Sequence, residues 1–342
     1  LPTISIIVPF YYNQANVDAT TTALFENEKL FEPNVQFQYI FIDDGSKDET
    51  LSLLKKVKQQ NQRQITIIKL SGNFGSYNAI LAGMQYATGD CNVVITADLQ
   101  DPPPLILKMY NYWEQGFKLV LANRAKRNDS FLTRTLANSY NKLIKKFSEL
   151  NIPDGGFDFC FFDKQLRDQV VAMNEKNTNS LYLLVWLKYD YISIAYTRQQ
   201  RQLGKSRWTV QKKIKLFIDS FISFSYMPLR LITMGGLILG FCAFLYACFV
   251  LFAKLTGKIN VEGWSTLMVV FLIVASFQSI ALGIIGEYLW RNLEHSRNRP
   301  AYIVDEVFDK NADVRTNSRN IYFVDFMHAC YIIYGQLYNI IY

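Results

Sequence analysis

Histidine is nearly absent from this chain. Only His295 and His328 occur in 342 residues, and neither lies in the first 290. A histidine-based catalytic triad or a histidine zinc site is therefore excluded from that stretch. The five cysteines, at 91, 160, 242, 248 and 330, are scattered and form no CxxC, so free thiols in a reducing compartment are expected rather than a disulfide framework. No GxGxxG and no GxxxxGK[ST] is present, which argues against a dinucleotide fold and against a P-loop. Nor is there a dense basic run or a nucleic-acid-binding motif, so nucleic acid is not an expected partner. No repeat and no low-complexity segment interrupts the chain.

Apolar residues and positive charge are abundant instead. Half the residues are hydrophobic, with 25 Phe and 21 Tyr. Lys and Arg outnumber Asp and Glu by 36 to 29, a formal charge of +7 that favours phosphates or an anionic membrane surface. The chain begins without Met and without a signal peptide, from which a cytosolic α/β portion is expected.

Residues 92–97 are β-branched and apolar enough for a buried strand. That strand runs into Asp98, Gln100 and Asp101, and Pro102, Pro103 and Pro104 then end it and open a helix. Oxygen ligands at the carboxyl end of a strand are where an open α/β sheet holds its ligand. In extended backbone Asp98 and Gln100 point the same way. One acid, one amide oxygen and two substrate phosphates suit Mg²⁺ or Mn²⁺. A polar loop capping a helix would show the same residues.

Around that stretch, strands are expected at residues 4–8, 37–42, 65–70 and 119–122. Helices are expected from about 16, from Asp48 as cap to about 60, from the Asn73-Phe74-Gly75 turn to about 87, and after the prolines. The alternation predicts a mostly parallel, Rossmann-like sheet with helices on both faces. Asp43 and Asp44 end the second strand. They fit an ordinary strand-to-helix turn, and they equally fit hydrogen bonding to a base or ribose, since carboxylates accept from imide N–H and hydroxyl groups.

From Trp208 onward the pattern changes. Lys212, Lys213 and Lys215 alternate with Ile214, Leu216, Phe217, Ile218, Phe221 and Ile222, as in a basic amphipathic helix lying in a membrane interface. Residues 229–253 carry Arg230 as their one charge, and residues 266–288 only Glu287. Each is long enough for a ~30 Å hydrocarbon core. Arg291, Arg297 and Arg299 follow the second stretch, and the positive-inside rule puts both outer ends in the cytoplasm. The tail, residues 321–342, is apolar and Tyr-rich and is read as an interfacial helix. The expected organisation is a cytoplasmic domain over 1–207, a juxtamembrane helix over 208–227, two spans within 228–290 and a cytoplasmic tail over 291–342.

Several landmarks in this order resemble the polyprenyl-phosphate glycosyltransferases, the family 2 group that contains dolichol-phosphate mannose synthase and the bactoprenol glucosyltransferases. They are Val8-Pro9-Phe10-Tyr11, Asp43-Asp44-Gly45-Ser46, Asn73-Phe74-Gly75, Ala97-Asp98-Leu99-Gln100-Asp101-Pro102, Gly204-Lys205-Ser206-Arg207-Trp208, Ile285-Gly286-Glu287-Tyr288-Leu289 and Arg299-Pro300-Ala301-Tyr302. The resemblance implies a glycosyltransferase A fold. It implies inverting, metal-dependent transfer from a UDP- or GDP-linked sugar to a polyprenyl phosphate at the inner membrane, and a homo-oligomer. By its motifs Asp98 and Gln100 ligate the metal. Pro9, Tyr11, Asp43, Asp44 and Ala97 line the nucleotide site, and Asp158 lies near the reacting groups. Arg124 holds phosphate of the donor, and Arg201, Lys205 and Arg207 hold that of the acceptor. The chain also departs from the family. Thr96 stands where an Asp is usual, Tyr12-Asn13 where Asn-Glu is usual, Gly72 and Cys160 where Arg is usual, and Tyr77 where Glu is usual. A catalytically weakened membrane-anchored binding or scaffold protein is the rival reading. A processive synthase fits less well, because Gly204 replaces the Gln of its QxxRW signature.

Overall fold

The computed structural model describes residues 1–126, 150–153, 156–173, 175–176, 178–199, 224–225, 227–256, 263–297 and 299–309. Among them, the β-strands are β1 Thr3–Phe10, β2 Gln36–Asp43, β3 Gln64–Leu70, β4 Cys91–Val94, β5 Leu119–Lys126, β6 Phe159–Asp163, β7 Tyr191–Thr197 and β8 Val304–Phe308. The helices are α1 Val17–Asn27, α2 Thr50–Gln60, α3 Ser76–Tyr86, α4 Leu105–Glu114, α5 Lys164–Met173, α6 Ser180–Trp186, α7 Met227–Leu255 and α8 Trp264–Ser296.

The strands form one sheet in the order β7-β5-β6-β4-β1-β2-β3-β8. Its centre is parallel, β4-β1-β2-β3, and β5 pairs in parallel with β7. β6 runs antiparallel between β4 and β5, and β8 antiparallel along the free side of β3. β1 and β2 are buried almost end to end because both faces are covered. Ile7, Ile40, Ile42 and Val94 face α3 and α5, and Ile6, Val8, Phe41 and Val93 face the opposite layer of α1, α2 and α4. Gly83 in α3 permits the close approach of helix and sheet: a Cβ there would lie 2.5 Å from the Ile7 side chain.

The expected early elements are all present, with ends that move by up to four residues. The central strand is the exception, since it stops at Val94. Residues 97–99 turn instead, and Leu99 has φ +53°. The expectation of extended backbone carrying Asp98 and Gln100 to one side is thus corrected. The Asp98 side chain satisfies its own turn, accepting from the Gln100 N–H at 3.3 Å.

α7 and α8 are long and apolar, and residues Met227–Tyr246 and Val269–Glu294 within them have the length and composition to cross a membrane. Leu237, Phe241, Phe252, Leu267 and Leu282 leave well over half their surface uncovered, which suits a lipid environment. The two helices approach where Gly235 meets the Phe277 ring; a Cβ at 235 would lie 2.8 Å from it.

Candidate active site

The carboxyl ends of β1, β2 and β4, with β5, β6 and β7 beside them, bring the acids together. The β1 end turns sharply. Tyr11 N–H donates to Asn13 Oδ1 at 2.9 Å and Tyr12 N–H to Ser46 Oγ at 2.9 Å, while Tyr12 takes φ +51°. Asn13 N–H donates to Thr50 Oγ1 at 3.0 Å, so this loop is laced to the turn after β2. Asn13, where the resembling family has a carboxylate, therefore shapes the backbone that carries Tyr11 and Tyr12. The two Tyr rings meet edge to face with centroids 4.7 Å apart.

Asp43 and Asp44 have different duties. Asp44 accepts from Phe74 N–H at 2.7 Å and Gly75 N–H at 3.0 Å, one on each carboxylate oxygen. It thereby ties the end of β2 to the start of α3. Gly75 has φ +90° and Gly45 has φ +71°; a Cβ on Gly45 would lie 2.5 Å from the Gly72 backbone, so the two turns fit only with glycine at 45. Asp43 is fully buried. Its Oδ1 accepts from Ser46 N–H at 3.2 Å, and its Oδ2 is buried with no hydrogen-bond partner. Burial pushes its carboxyl above the usual carboxylate range, against the pull of Ser46.

At the β4 end, Thr96 Oγ1 lies 2.8 Å from Asp98 Oδ1 and 2.9 Å from Asp101 Oδ2. A hydroxyl has one proton, so the two carboxylates share it. Asp101 is fully buried and accepts from the Tyr196 hydroxyl, and Arg198 Nε stands 3.9 Å away. Burial raises the Asp101 carboxyl out of the ordinary range, opposed by Tyr196 and Arg198. The Arg124 guanidinium pairs with Asp158, and Tyr196 stands opposite Arg124 in the β5-β7 register. Asp158 holds Arg124 even more firmly protonated than usual. Gln100 Nε2 donates to Gln199 O at 3.2 Å, and Gln199 N–H returns a bond to Gln100 O at 2.9 Å. The chain leaving β7 is pinned to the Asp98 turn in this way.

The oxygens of Asp98 and Gln100 are hard donors. They fit Mg²⁺, or Mn²⁺, which takes few carboxylates when substrate phosphates complete its shell. Among the described residues no group of three or more His, Cys, Asp or Glu converges as a self-sufficient metal site.

Asp98 and Gln100 thus share one turn, Arg124 pairs with Asp158, and Pro9, Tyr11, Asp43 and Asp44 lie at the neighbouring strand ends. Ala97 contributes backbone, accepting from Thr20 Oγ1 at 2.9 Å. Arg201, Lys205, Arg207, the amphipathic segment up to 223 and the tail 321–342 lie outside the described residues. Cys160 is buried in the core with its thiol raised by burial, so the substitution there falls on packing. Asp101, Tyr196 and Arg198 were not among the expected site residues. Tyr196 stands on a strand, β7, that the sequence pattern did not reveal.

Strand ends carrying acids on a mostly parallel sheet with helices on both faces define a glycosyltransferase A-type α/β domain. Residues 5–171 match the family model "Glycosyl transferase family 2". The chain is 34% identical over 305 residues to the uncharacterized glycosyltransferase YkcC of Bacillus subtilis, covering 89% of this chain and 94% of that protein. It is 30% identical over 302 residues to a bactoprenol glucosyl transferase of Shigella phage SfV, covering 88% and 97%. Among solved structures, a mannosyltransferase from Pyrobaculum calidifontis in complex with GDP-Man and Mn²⁺ matches at 15% identity and a TM-score of 0.41, covering 84% of this chain and 87% of that one. The chain belongs to glycosyl transferase family 2 and is a glycosyltransferase.

Proposed function

We propose that the protein moves a sugar, with inversion, from a UDP- or GDP-linked donor to a polyprenyl phosphate at the cytoplasmic face of the inner membrane. The observation that carries this reading is the union, in one chain, of a glycosyltransferase site at the strand ends with two apolar helices that have no aqueous use. The likeness to a protein named bactoprenol glucosyl transferase over 88% of the chain supports a lipid phosphate as acceptor.

In this reading Asp98 and Gln100 hold Mg²⁺ or Mn²⁺, which would supply Lewis-acid stabilisation of the departing diphosphate. Asp43 and Asp44, with Pro9, Tyr11 and the Ala97 backbone, line the nucleotide pocket. The orphaned Asp43 Oδ2 is suited to an N–H or hydroxyl donor from the nucleoside. Arg124 neutralises phosphate charge on the donor side, and Arg201, Lys205 and Arg207 do so for the acceptor. An acceptor phosphate oxygen bonds to the anomeric carbon as the bond to the diphosphate breaks, and the electron pair leaves with the nucleoside diphosphate. A phosphate monoester with a second pKa of ~6 is already anionic, so general-base help is unnecessary and positioning dominates. Asp158, paired with Arg124, orients groups beside the reacting centre. The domain over 1–207 would be cytoplasmic, residues 208–227 interfacial, 228–290 in the bilayer and 291–342 cytoplasmic, in a homo-oligomer.

The test is direct. Purified protein with Mg²⁺ or Mn²⁺, a panel of UDP- and GDP-sugars, and undecaprenyl or dolichyl phosphate is expected to yield a lipid-linked sugar by mass spectrometry. A protein that binds nucleotide sugars yet forms no product with any donor would be the weakened or scaffold form that Thr96, in place of an acid, suggests.

A further inference from the structure

Asp101 is a fully buried carboxylate to which the mechanism above gives no task. A buried acid is costly unless its oxygens are satisfied. Here the donors are the Thr96 hydroxyl on one oxygen and the Tyr196 hydroxyl on the other. Thr96 leads to Asp98 at the proposed metal turn, and Tyr196 stands in the β5-β7 pairing beside Arg124, whose guanidinium meets Asp158. A line of polar side chains therefore runs from Asp98 to Asp158, across the ends of β4, β7, β5 and β6, with Tyr196 and Arg124 neighbours in the β5-β7 pairing. Its middle link is Tyr196. A phenol is the one neutral side chain that can donate to an acid and accept from a guanidinium through a single oxygen while its ring packs in the core. The ring does pack, edge to face on Phe159 with centroids 6.3 Å apart. Tyr196 also stands opposite Arg124 in the β5-β7 register, beside the irregularity between Arg124 and Lys126.

We propose that Tyr196 is a positioning residue for the transfer reaction, holding Arg124 in register with the Asp98 turn through buried Asp101. The proposal rests on the transferase reading above. Without the hydroxyl, Arg124 keeps only the half-exposed Asp158 to orient it, and Asp101 draws the single Thr96 proton away from Asp98.

Tyr196→Phe keeps the ring and its contact with Phe159, so the fold is retained. In detergent, with Mn²⁺ present, the full chain is titrated with UDP and with GDP by calorimetry, and turnover is measured beside it. Tyr196→Phe takes one donor from buried Asp101, so it should lower the thermal midpoint by several degrees and also lower kcat/KM for the donor about tenfold. It should weaken nucleoside diphosphate binding several-fold, and that loss should vanish in an Arg124→Ala background, because the hydroxyl acts through Arg124. Should Tyr196→Phe not accumulate, Asp101→Asn is measured in the same cycle with the same expectation. An undiminished further loss on top of Arg124→Ala, or a lowered thermal midpoint with wild-type affinity and kcat/KM, overturns the proposal. A wild-type protein that binds neither nucleotide and forms no product overturns the transferase reading itself, and the role of Tyr196 falls with it.

Discussion

Asp44 and Gly75 lie 31 residues apart in sequence, yet the Gly75 N–H donates to Asp44 Oδ2 at 3.0 Å while Phe74 N–H occupies the other oxygen. An acid that serves two backbone donors cannot be exchanged for its amide. Asn at 44 would set an NH₂ against one of those N–H groups, stranding a part-buried donor at a cost of about 1 kcal/mol. Asp44→Asn should therefore lower the unfolding midpoint as well as nucleotide binding. Loss of binding with wild-type stability would mean that Asp44 acts on the nucleotide alone.

Asp98→Asn tests a different kind of acid. Asp98 is nearly buried, and its Oδ1 takes the Thr96 hydroxyl and the Gln100 N–H, both of which an amide oxygen also accepts. The fold should survive. Removing the charge on a metal ligand should lower turnover roughly 10²-fold or more. Near-normal turnover with saturating Mg²⁺ or Mn²⁺ would remove Asp98 from the metal site.

How far these acids could be foreseen depended on what kind of order places them. Asp43, Asp44 and Asp98 were legible because β-branched runs end abruptly in acids, a local signal. The turn at Leu99 was not, because φ +53° at a leucine is imposed by its surroundings and no propensity announces it. β6, β7 and β8 were missed because each pairs with partners distant in sequence. β8 reaches β3 across more than 200 residues, so nothing local marks it as a strand. Tyr196 was lost with β7, and with it the tie to Asp101, since that contact exists only once the sheet is assembled.

Asp43 makes a prediction in pH. Burial raises its carboxyl in the folded chain above an unfolded value of about 3.9. The folded state then binds this proton more tightly, so the group's contribution to stability is lost as pH rises from about 3.9 through the folded value. This is the reverse of a salt-bridged Asp. Asp43→Asn cannot ionise and still offers an oxygen to Ser46 N–H. Chemical denaturation followed from about pH 4 to about pH 7 should show a shallower decline for Asp43→Asn than for wild type, with no lower stability at the neutral end. A steeper decline in the variant would contradict the assignment of burial as the cause.

The strand after the second apolar helix should matter to the whole sheet. β8 covers the edge of β3, and Lys58 Nζ donates to Phe308 O at 2.9 Å while Lys55 Nζ lies 3.9 Å from the Phe308 ring centre. Lys69 meets Asp305 at 2.6 Å, but exposed ion pairs contribute little, so Lys69→Ala should be nearly silent. Ending the chain after Arg297 should instead bare the β3 edge, lower the thermal midpoint and promote association in light scattering. A truncated protein as stable and as dispersed as wild type would show β8 to be dispensable.

Thr96 is the substitution on which the metal site turns. Its hydroxyl stands within 2.9 Å of carboxylate oxygens from both Asp98 and Asp101. The side chain at 96 is thus held between two acids, and what it carries decides whether they repel or share a proton. Thr96→Asp places a third carboxylate there and removes the only hydroxyl proton between them. Like charges so close oppose ionisation and destabilise the fold unless a cation intervenes. The variant should therefore unfold at lower temperature than wild type in chelator. Added Mn²⁺ should recover the loss, with tighter metal binding than wild type, because a bound cation stabilises in proportion to its affinity for the folded state. Thr96→Val separates charge from hydrogen bonding. It loses the shared proton but adds no ligand, so its midpoint should fall in chelator and gain no more from Mn²⁺ than wild type does. Equal responses to Mn²⁺ from Thr96→Asp and Thr96→Val would place the metal away from residue 96.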